Sequence, residues 1–365
     1  MGSVVATRQR SPRSMMAASS PTRGPTSTRG SETGCRSRIA CSVRARSLPT
    51  GRTFIAVARS IPDVPRPLIE CVANVSEGRD RARLALFAVA VRGVPGVTLM
   101  DVHADADHHR SVFSFLGTPG AVETAALALA ERVLGEIDLR EHEGVHPRIG
   151  ALDVVPFVPL AGLEMADAVA LARRVGRAIA TRHRLPVWYY GHAATRPERR
   201  RLPDVRRGGY ERLAERLATG GDPPDEGPPR FDARAGAVLV GAREILVAFN
   251  VWLDTRDVEV AREVARAVRE SSGGLAAVQA LGLPLPRRGV VQVSMNLLDH
   301  RVTPIPAAFD RVREEAARRG VGIRRAELVG VAPRAAFAGR SPESVGLADF
   351  APELLLDVHV AASAR

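Results

Sequence analysis

The chain has 365 residues, of which 45% are hydrophobic and 25% charged, values typical of a globular protein with room for two modest domains, whereas aromatic residues are scarce at 4%. Its net charge of +12 would suggest a nucleic-acid partner, but residues 1–66 hold twelve Arg against only Glu32 and Asp63, so most of this charge lies outside the regular part of the sequence. The sequence contains no Lys and no GxGxxG, which excludes a Schiff-base lysine, a Walker-type phosphate loop and the common dinucleotide-binding enzymes.

The basic leader, residues 1–66, is rich in Ser, Pro, Gly and Arg, a composition that predicts disorder. It is read as a dispensable tail, an organelle transit segment or sequence upstream of the true start, and we expect activity to survive removal of residues 1–64. No apolar run is long enough to span a bilayer, and two of the three Cys lie in this leader. These features predict a soluble cytoplasmic protein with no membrane and no nucleic-acid partner.

From residue 67 the chain alternates regularly between strand and helix patterns. The first half predicts strands over 68–75, 97–103, 110–116 and 152–158, with helices over 80–92 and 118–138. Pro156 suggests that the last of these strands lies at an edge or carries a bulge. A further helix over 164–183, a strand over 187–191 and an Arg-, Pro- and Gly-rich connector over 192–236 follow.

The second half repeats the order of the first. It predicts strands over 244–253, 276–281, 290–297 and 321–330, with helices over 257–271 and 304–319. Two βαββαβ units predict an α+β protein with two ferredoxin-like subdomains, whose mixed sheets pack to leave a groove between them. The predicted divisions are the leader 1–66, a first subdomain 67–242, a second subdomain 243–337 and a C-terminal extension 338–365.

Polar residues concentrate in three loops, over 101–110, 141–151 and 227–236, and five of the nine His fall in the first two. In the second loop Pro147 holds the preceding His146 extended, while Gly144 and Gly150 prevent a helix. An imidazole on such a loop is a candidate proton carrier. Arg148, two residues on, is expected to point the same way and to hold an anionic substrate. The alternative is a surface or packing histidine.

The first loop also permits a metal reading. His103, Asp105, Asp107 and His108 approach the HxHxDH zinc motif, with Asp105 in place of its second His. The alternative is a turn rich in Asp because Asp tolerates turns. Similarly, the Arg-rich stretch 196–212 either receives a polyanion or is a solvated loop.

At these loops the sequence resembles the formiminotransferase domain of formiminotransferase-cyclodeaminase and its stand-alone bacterial relatives. The resemblance covers residues 67 to about 335. The matching stretches are ECVANVSEG (70–78), Asp101 with RSVFSFLG (110–117), HEGVHPRIGALDVVP (142–156), PVWYYG (186–191), FNV (249–251), QVSMNLLD (292–299) and ELVGV (327–331).

The resemblance implies a glutamate formiminotransferase, which moves the formimino group from N-formimino-L-glutamate to N5 of tetrahydrofolate in histidine degradation. It implies that His146 is the catalytic residue and that a groove between two subdomains binds folate. The folate-contacting segment then falls on Gly227, Pro228, Pro229, Arg230, Phe231 and Gly236, with Asn250 and Asn296 as further cofactor-binding residues. Candidates for binding the glutamate substrate are Arg148, Arg110, Asp101 and Asn74, the two Arg because a guanidinium binds a carboxylate bidentately.

Tetrahydrofolate is therefore expected as co-substrate, with no metal, and a homodimer is left open. The sequence departs from the family at two places: His103 stands where the vertebrate enzymes carry Asp, and a basic loop is shortened to residues 271–275. Two other hypotheses remain at this point. One is a metal-dependent hydrolase that uses the His103–His109 loop, and the other is a folate-binding module without catalysis.

Overall fold

Two β-sheets, each covered by helices on one face, organise residues 66–363, which are the residues that the computed structural model describes. The predictions made for the leader, residues 1–65, lie outside the described residues. The first sheet and its helices comprise β1 (Ile69–Val75), α1 (Arg81–Arg92), β2 (Val97–Asp105), β3 (Arg110–Gly117), α2 (Pro119–Glu136), β4 (Leu152–Pro159), α3 (Met165–His183), β5 (Val187–Gly191), α4 (Leu202–Val205), α5 (Leu213–Thr219) and β6 (Val238–Ala242).

The first sheet has the strand order β2-β3-β1-β4-β6-β5. Its first four strands pair antiparallel in the ferredoxin-like order, which confirms the predicted βαββαβ unit. Strands β6 and β5 extend the sheet in parallel beyond β4. The sequence analysis missed β6, because five buried residues with no alternation give no strand period.

Strand β4 is interior, between β1 and β6, so the expectation of an edge strand from Pro156 is wrong. Pro156 lies opposite Gly241 of the parallel neighbour β6. The irregularity that a strand proline suggests does occur in this strand, but closer to its start, where the register with β1 shifts between Asn74 and Val75.

The second sheet has the order β10-β7-β9-β8 and is antiparallel throughout, so only the first sheet is mixed. This again is the ferredoxin-like order, as predicted. Its elements are β7 (Val247–Leu253), α6 (Val258–Val268), β8 (Val278–Leu285), β9 (Val290–Leu297), α7 (Ile305–Ala317) and β10 (Ile323–Val329), followed by α8 (Leu356–Ser363).

Each sheet has its own hydrophobic core on the face covered by helices. Helices α1, α2 and α3 bury the first core, and α6 and α7 bury the second. Residues Val345, Leu347 and Leu355 of the predicted C-terminal extension belong to the second core. No helix in the described range is both long and apolar enough to cross a membrane.

Candidate functional site

The uncovered faces of the two sheets line one cavity, called here the main cavity, of about 1100 Å³ including its open mouth. Because side chains alternate along a strand, every second residue of β1 faces it: Glu70, Val72 and Asn74. Strands β3, β7, β9 and β10 contribute in the same way. The predicted groove between two sheets is therefore present.

A second cavity of about 1070 Å³, likewise including its open mouth, is called here the side cavity and adjoins the main cavity. Five residues line both: His146, Leu202, Arg206, Ser294 and Asn296. His146 thus lies where the two cavities meet. The side cavity also contains Arg201, Arg269 and Ser271, the last of which begins the shortened loop of residues 271–275.

The loop that carries His146 is held against the loop between β2 and β3. The backbone N–H of Val145 donates to the carbonyl of Asp107 at 3.2 Å. Gly144 makes this approach possible, since a Cβ there would clash with the carbonyl oxygen of His108 and lie 2.9 Å from the Cβ of His109. This contact brings the rings of His108 and His146 to 5.5 Å between centroids.

The imidazole of His146 is neutral and has one unprotonated ring nitrogen. Burial, together with the charges of Arg110 and Arg206 and the His108 ring, lowers its pKa well below the ordinary 6.5, so the ring is neutral near pH 7. Its Nδ1 lies 2.8 Å from the carbonyl oxygen of Pro147, which can only accept, so Nδ1 carries the proton. The lone pair is then on Nε2, which meets no hydrogen-bond donor among residues 66–363.

Two guanidinium groups share one buried carboxylate beside His146. Arg110 Nη1 and Arg206 Nη2 each donate to Asp153 Oδ2 at 2.6 Å, and Asp153 is fully buried. Burial acts to raise the pKa of Asp153, but the two cations outweigh it and hold that pKa low. Arg110 also donates to Asn74 Oδ1 at 2.8 and 3.1 Å. The cluster has a net charge of +1 and lines the main cavity.

The second sheet presents an acid on the facing wall of the main cavity. Glu327 accepts hydrogen bonds from Asn250 and Gln292, each 3.2 Å from Oε2, and His103 Nε2 lies 3.5 Å from Oε1. Ser294 completes this wall. One side of the main cavity is therefore cationic, and the other is acidic and amide-rich.

The Asp residues of the first loop contact the second sheet. Arg288, in the turn between β8 and β9, places Nη1 2.9 Å from Asp105 Oδ2 and 2.7 Å from Asp107 Oδ2. The backbone N–H of Arg287 also donates to Asp107 at 2.8 Å. Residues 66–363 contain no group of three or more His, Cys, Asp or Glu side chains arranged to hold a metal ion. The carboxylates of Asp105 and Asp107, two of the four residues of the zinc-like motif, are thus paired with Arg288.

The remaining loop histidines form a structural pair. His109 and His142 stack at 4.2 Å with an interplanar angle of 6°, and His142 Nε2 lies 2.8 Å from the carbonyl of His109. His109 Nε2 lies 3.2 Å from Glu77 Oε1. Burial lowers the pKa of His142 to about 4. This pair fastens the two loops to each other and lines neither cavity.

The predicted site residues divide into two groups. His146, Arg110, Asn74, Asn250 and Asn296 line the main cavity. Asp101 lines neither cavity; burial raises the pKa of its carboxyl, which accepts from the backbone N–H of Gly330 beyond β10.

Arg148 also lies outside both cavities, contrary to the expectation that it would point the same way as His146. It donates to Glu211 Oε1 at 3.0 Å and to the carbonyl of His142 at 3.1 Å, and it lies over the Tyr210 ring. The period-2 rule fails here because β4 begins only at Leu152, so residues 146–148 are not in a strand.

The predicted folate segment lies behind the cavities rather than in them. Its residues Gly227, Pro228, Pro229, Arg230, Phe231 and Gly236 line neither cavity. Gly227 approaches the carbonyl of Leu185, and Phe231 packs against Tyr210 at 5.6 Å. Gly236 bridges to Gly150. In this structure the segment supports the His146 loop, and its contact with folate stays a prediction.

Several polar residues of the main cavity had been given no folate- or substrate-binding role from the sequence, among them Glu70, His108, Arg206 and Glu327. Three of these four lie in stretches that the analysis had singled out, namely 70–78, 101–110 and 327–331. Arg206 lies in the Arg-rich stretch, whose interpretation as a solvated loop is wrong at this position, because Arg206 reaches Asp153.

Sequence profiles described as the formiminotransferase domain, N-terminal subdomain, and the formiminotransferase domain match residues 68–243 and 248–341. The chain belongs to the formiminotransferase family. Glutamate formimidoyltransferase of Thermoplasma acidophilum is 41% identical over 272 residues, covering 74% of this chain and 89% of that protein. The same-named protein of Streptococcus pyogenes serotype M1 is 37% identical over 270 residues, covering 74% and 90%.

Formimidoyltransferase-cyclodeaminase of Rattus norvegicus is 39% identical over 273 residues, which are 73% of this chain and 50% of that longer protein. Among solved structures, the periplasmic protease PqqL from Escherichia coli aligns with 69% of this chain and 34% of its own, at 11% identity and a TM-score of 0.18, a likeness that carries no inference. The two matched ranges coincide with the two sheets, since β1 to β6 lie within 68–243 and β7 to β10 within 248–341 apart from the first residue of β7.

Proposed function

We propose that this chain is a glutamate formimidoyltransferase that transfers the formimino group of N-formimino-L-glutamate to N5 of tetrahydrofolate. The observation that carries the proposal is a neutral His146 at the junction of two cavities, whose Nε2 meets no hydrogen-bond donor among residues 66–363, beside a cluster of net positive charge. The names of its relatives point to the same chemistry.

In the proposed reaction, N5 attacks the carbon of the protonated amidine and gives a tetrahedral carbon that carries three nitrogens. His146 Nε2 accepts the proton of N5 and then delivers it to the nitrogen of the departing glutamate. The bond between that nitrogen and the formimino carbon breaks, while the new bond between N5 and the carbon remains. Such proton transfer is typically worth about 10²–10⁴ in rate. Holding both amines in one groove contributes through orientation.

Charge complementarity supports the placement of the substrates. N-formiminoglutamate carries two carboxylates. The net positive charge of the Arg110–Asp153–Arg206 cluster would attract them. Folate extends from a bicyclic ring to an anionic tail, and the side cavity contains Arg201 and Arg269. We therefore assign the ring to the main cavity and the tail to the side cavity.

The test is glutamate release from N-formiminoglutamate in the presence of tetrahydrofolate. We expect His146→Asn to lower turnover by about 10²–10⁴ while it still binds 5-methyltetrahydrofolate. His359→Asn is the matched control and should keep wild-type turnover, because this half-buried histidine of α8 lines neither cavity and its Nε2 lies 2.7 Å from the carbonyl oxygen of Glu353. Near-wild-type turnover in His146→Asn removes this residue from the mechanism, and a wild-type chain without transfer refutes the function.

A further inference from the structure

Glu70 is a carboxyl on the floor of the main cavity that the proposed reaction does not use. It lies on β1, two residues before Val72 and four before Asn74, and only 4% of its surface is exposed. A buried carboxyl without a partner is costly, so it needs an explanation.

The other acids of this cavity are already bound to protein groups. Asp105 pairs with Arg288 and accepts from the His108 backbone N–H at 2.7 Å. Glu327 is held by Asn250 and Gln292. Glu70 accepts no hydrogen bond from any residue in the range 66–363, and Arg243 acts on it only as a more distant charge. Among the described residues, nothing occupies the hydrogen-bonding positions of its carboxyl, which leaves them to a ligand.

Apart from the charge of Arg243, the groups around Glu70 named here are apolar. Its neighbours across the sheet are Leu116 on β3 and Val158 on β4, both fully buried. Leu116 packs with Val331 and Leu356 from the facing side of the groove. An apolar slot that ends in one carboxyl suits a flat ring with hydrogen-bond donors on its far edge.

The spacing along β1 separates Glu70 from the reacting centre. Four residues of strand span about 13 Å, and Asn74 at the other end contacts Arg110 beside His146. A fused bicyclic ring of about 7 Å with a hydrogen bond of about 3 Å at each end fills this interval. An amidine that reacts at His146 would not reach Glu70.

We propose that the Glu70 carboxylate accepts paired hydrogen bonds from the pyrimidine edge of a reduced pterin, its ring N3–H and 2-amino group. This inference rests on the proposed function, and it names the residue that orients the ring so that N5 faces His146. A carboxylate matches two parallel donors on one planar edge, as it does with guanidinium.

The pH dependence of pterin affinity can test this role of Glu70, because a purely structural role of Glu70 would not change that dependence. Burial raises the pKa of Glu70 to about 7, while the charge of Arg243 opposes the rise. The pKa of the neighbouring Cys71 thiol is raised well above its ordinary value, mainly because the thiol is buried. Cys71 therefore does not titrate between pH 6 and pH 8. Val331 and Leu356, which pack on Leu116 beside Glu70, do not titrate. Affinity for the pterin should therefore rise from pH 6 to pH 8 as Glu70 ionises.

The experiment measures binding of 5-methyltetrahydrofolate and of its analogue with a methyl in place of the 2-amino group. Glu70→Gln keeps the shape of the side chain but offers a single acceptor and one mismatched donor. We expect it to weaken 5-methyltetrahydrofolate binding about 10–100-fold, the usual scale for charge-assisted hydrogen bonds. The KM for N-formiminoglutamate should stay within about twofold, on the same scale. Glu314→Gln, an exposed change on α7, is the control and should bind like wild type.

Wild type should bind the analogue at least about tenfold more weakly, and Glu70→Gln should lose both this discrimination and the rise with pH. The inference is overturned if Glu70→Gln binds 5-methyltetrahydrofolate as tightly as wild type, if discrimination persists in it, or if only the KM for N-formiminoglutamate rises. Tight binding by a wild-type chain that transfers no formimino group would refute the proposed function and leave this inference standing. The analogue comparison on wild type needs no variant to fold.

Discussion

Two segments have similar compositions but contribute differently to the site: residues 101–110, which span the end of β2 and the turn into β3, and residues 141–151, which precede β4. Both contain His, acids and a neighbouring Arg. The first loop uses its Asp residues to contact Arg288 of the second sheet, while the second loop presents His146 to both cavities. His109 of the first segment and His142 of the second stack on each other and so connect the two segments.

The difference teaches that a histidine's neighbours across space, rather than its loop, decide its role. His142 is buried against another ring and a carbonyl, and His146 faces open volume beside two cations. Lowered pKa values accompany both environments, so a shifted histidine alone does not identify the base. What distinguishes His146, the proposed base, is its place at the junction of two cavities with an Nε2 that meets no hydrogen-bond donor among residues 66–363.

The largest effect that distinguishes the structural role of His142 from the proposed role of His146 is the pH dependence of the free energy of unfolding. His142 has a folded pKa of about 4 against an ordinary 6.5, first because it is buried. The unfolded chain therefore binds this proton more readily. Stability is fully present above pH 6.5 and is lost as pH falls toward 4, by at most about 3 kcal/mol.

Urea denaturation of wild type and His142→Asn at pH 7.5 and pH 5 measures this loss. Since the variant lacks the titrating ring, it should lose about 2 kcal/mol less than wild type over that interval. Other histidines with lowered pKa values, such as His183 and His300, contribute equally to both proteins. Equal losses in the two proteins would show that His142 is not a buried neutral member of the framework.

The next effect tests whether the close approach of the two loops positions His146. Gly144→Ala places a Cβ against the backbone of His108, so the loops must separate. We expect a loss of about 1–3 kcal/mol, as in other overpacked sites, and a fall in turnover as the His108–His146 spacing changes. Thermal or urea unfolding checks the first and glutamate release the second.

Gly135→Ala is the matched control for this change. Gly135 lies in α2 with no other group near a built Cβ, so alanine should leave stability unchanged or raise it by up to about 1 kcal/mol. If both alanine variants behave alike, the contact at Gly144 does not constrain the loops.

Much of this arrangement could be predicted from sequence because it depends on local periods. Both βαββαβ units follow from alternating strands and amphipathic helices. His146 was identified because Pro147 and two glycines fix its loop and because the surrounding stretch is specific to the family. Arg148 was misplaced because alternation was applied outside a strand.

The residues that were missed depend on contacts distant in sequence. Arg206 reaches Asp153, 53 residues earlier, from a connector whose path no periodicity constrains. Glu70 looks like an ordinary polar residue of a strand until the second sheet closes over it. The glycines of the segment 227–236 suggested close approach to a ligand. Glycine also permits close contacts within the protein backbone, and Gly227 and Gly236 make such contacts.

The smallest effect concerns the electrostatics that make His146 differ from His142. Arg206→Gln leaves Arg110 and Asp153 as a neutral pair, so the ring of His146 loses one of the two cations that, after burial, lower its pKa. That pKa should rise toward 6.5, and the acid limb of kcat/KM should move to higher pH.

The KM for N-formiminoglutamate should also rise, about tenfold or more if Arg206 holds a carboxylate. Arg207→Gln, the exposed neighbour that pairs with Asp204, should leave both the limb and the KM unchanged. An acid limb that stays in place in Arg206→Gln would mean that burial alone keeps His146 neutral, and the cation cluster would then serve only to bind substrate.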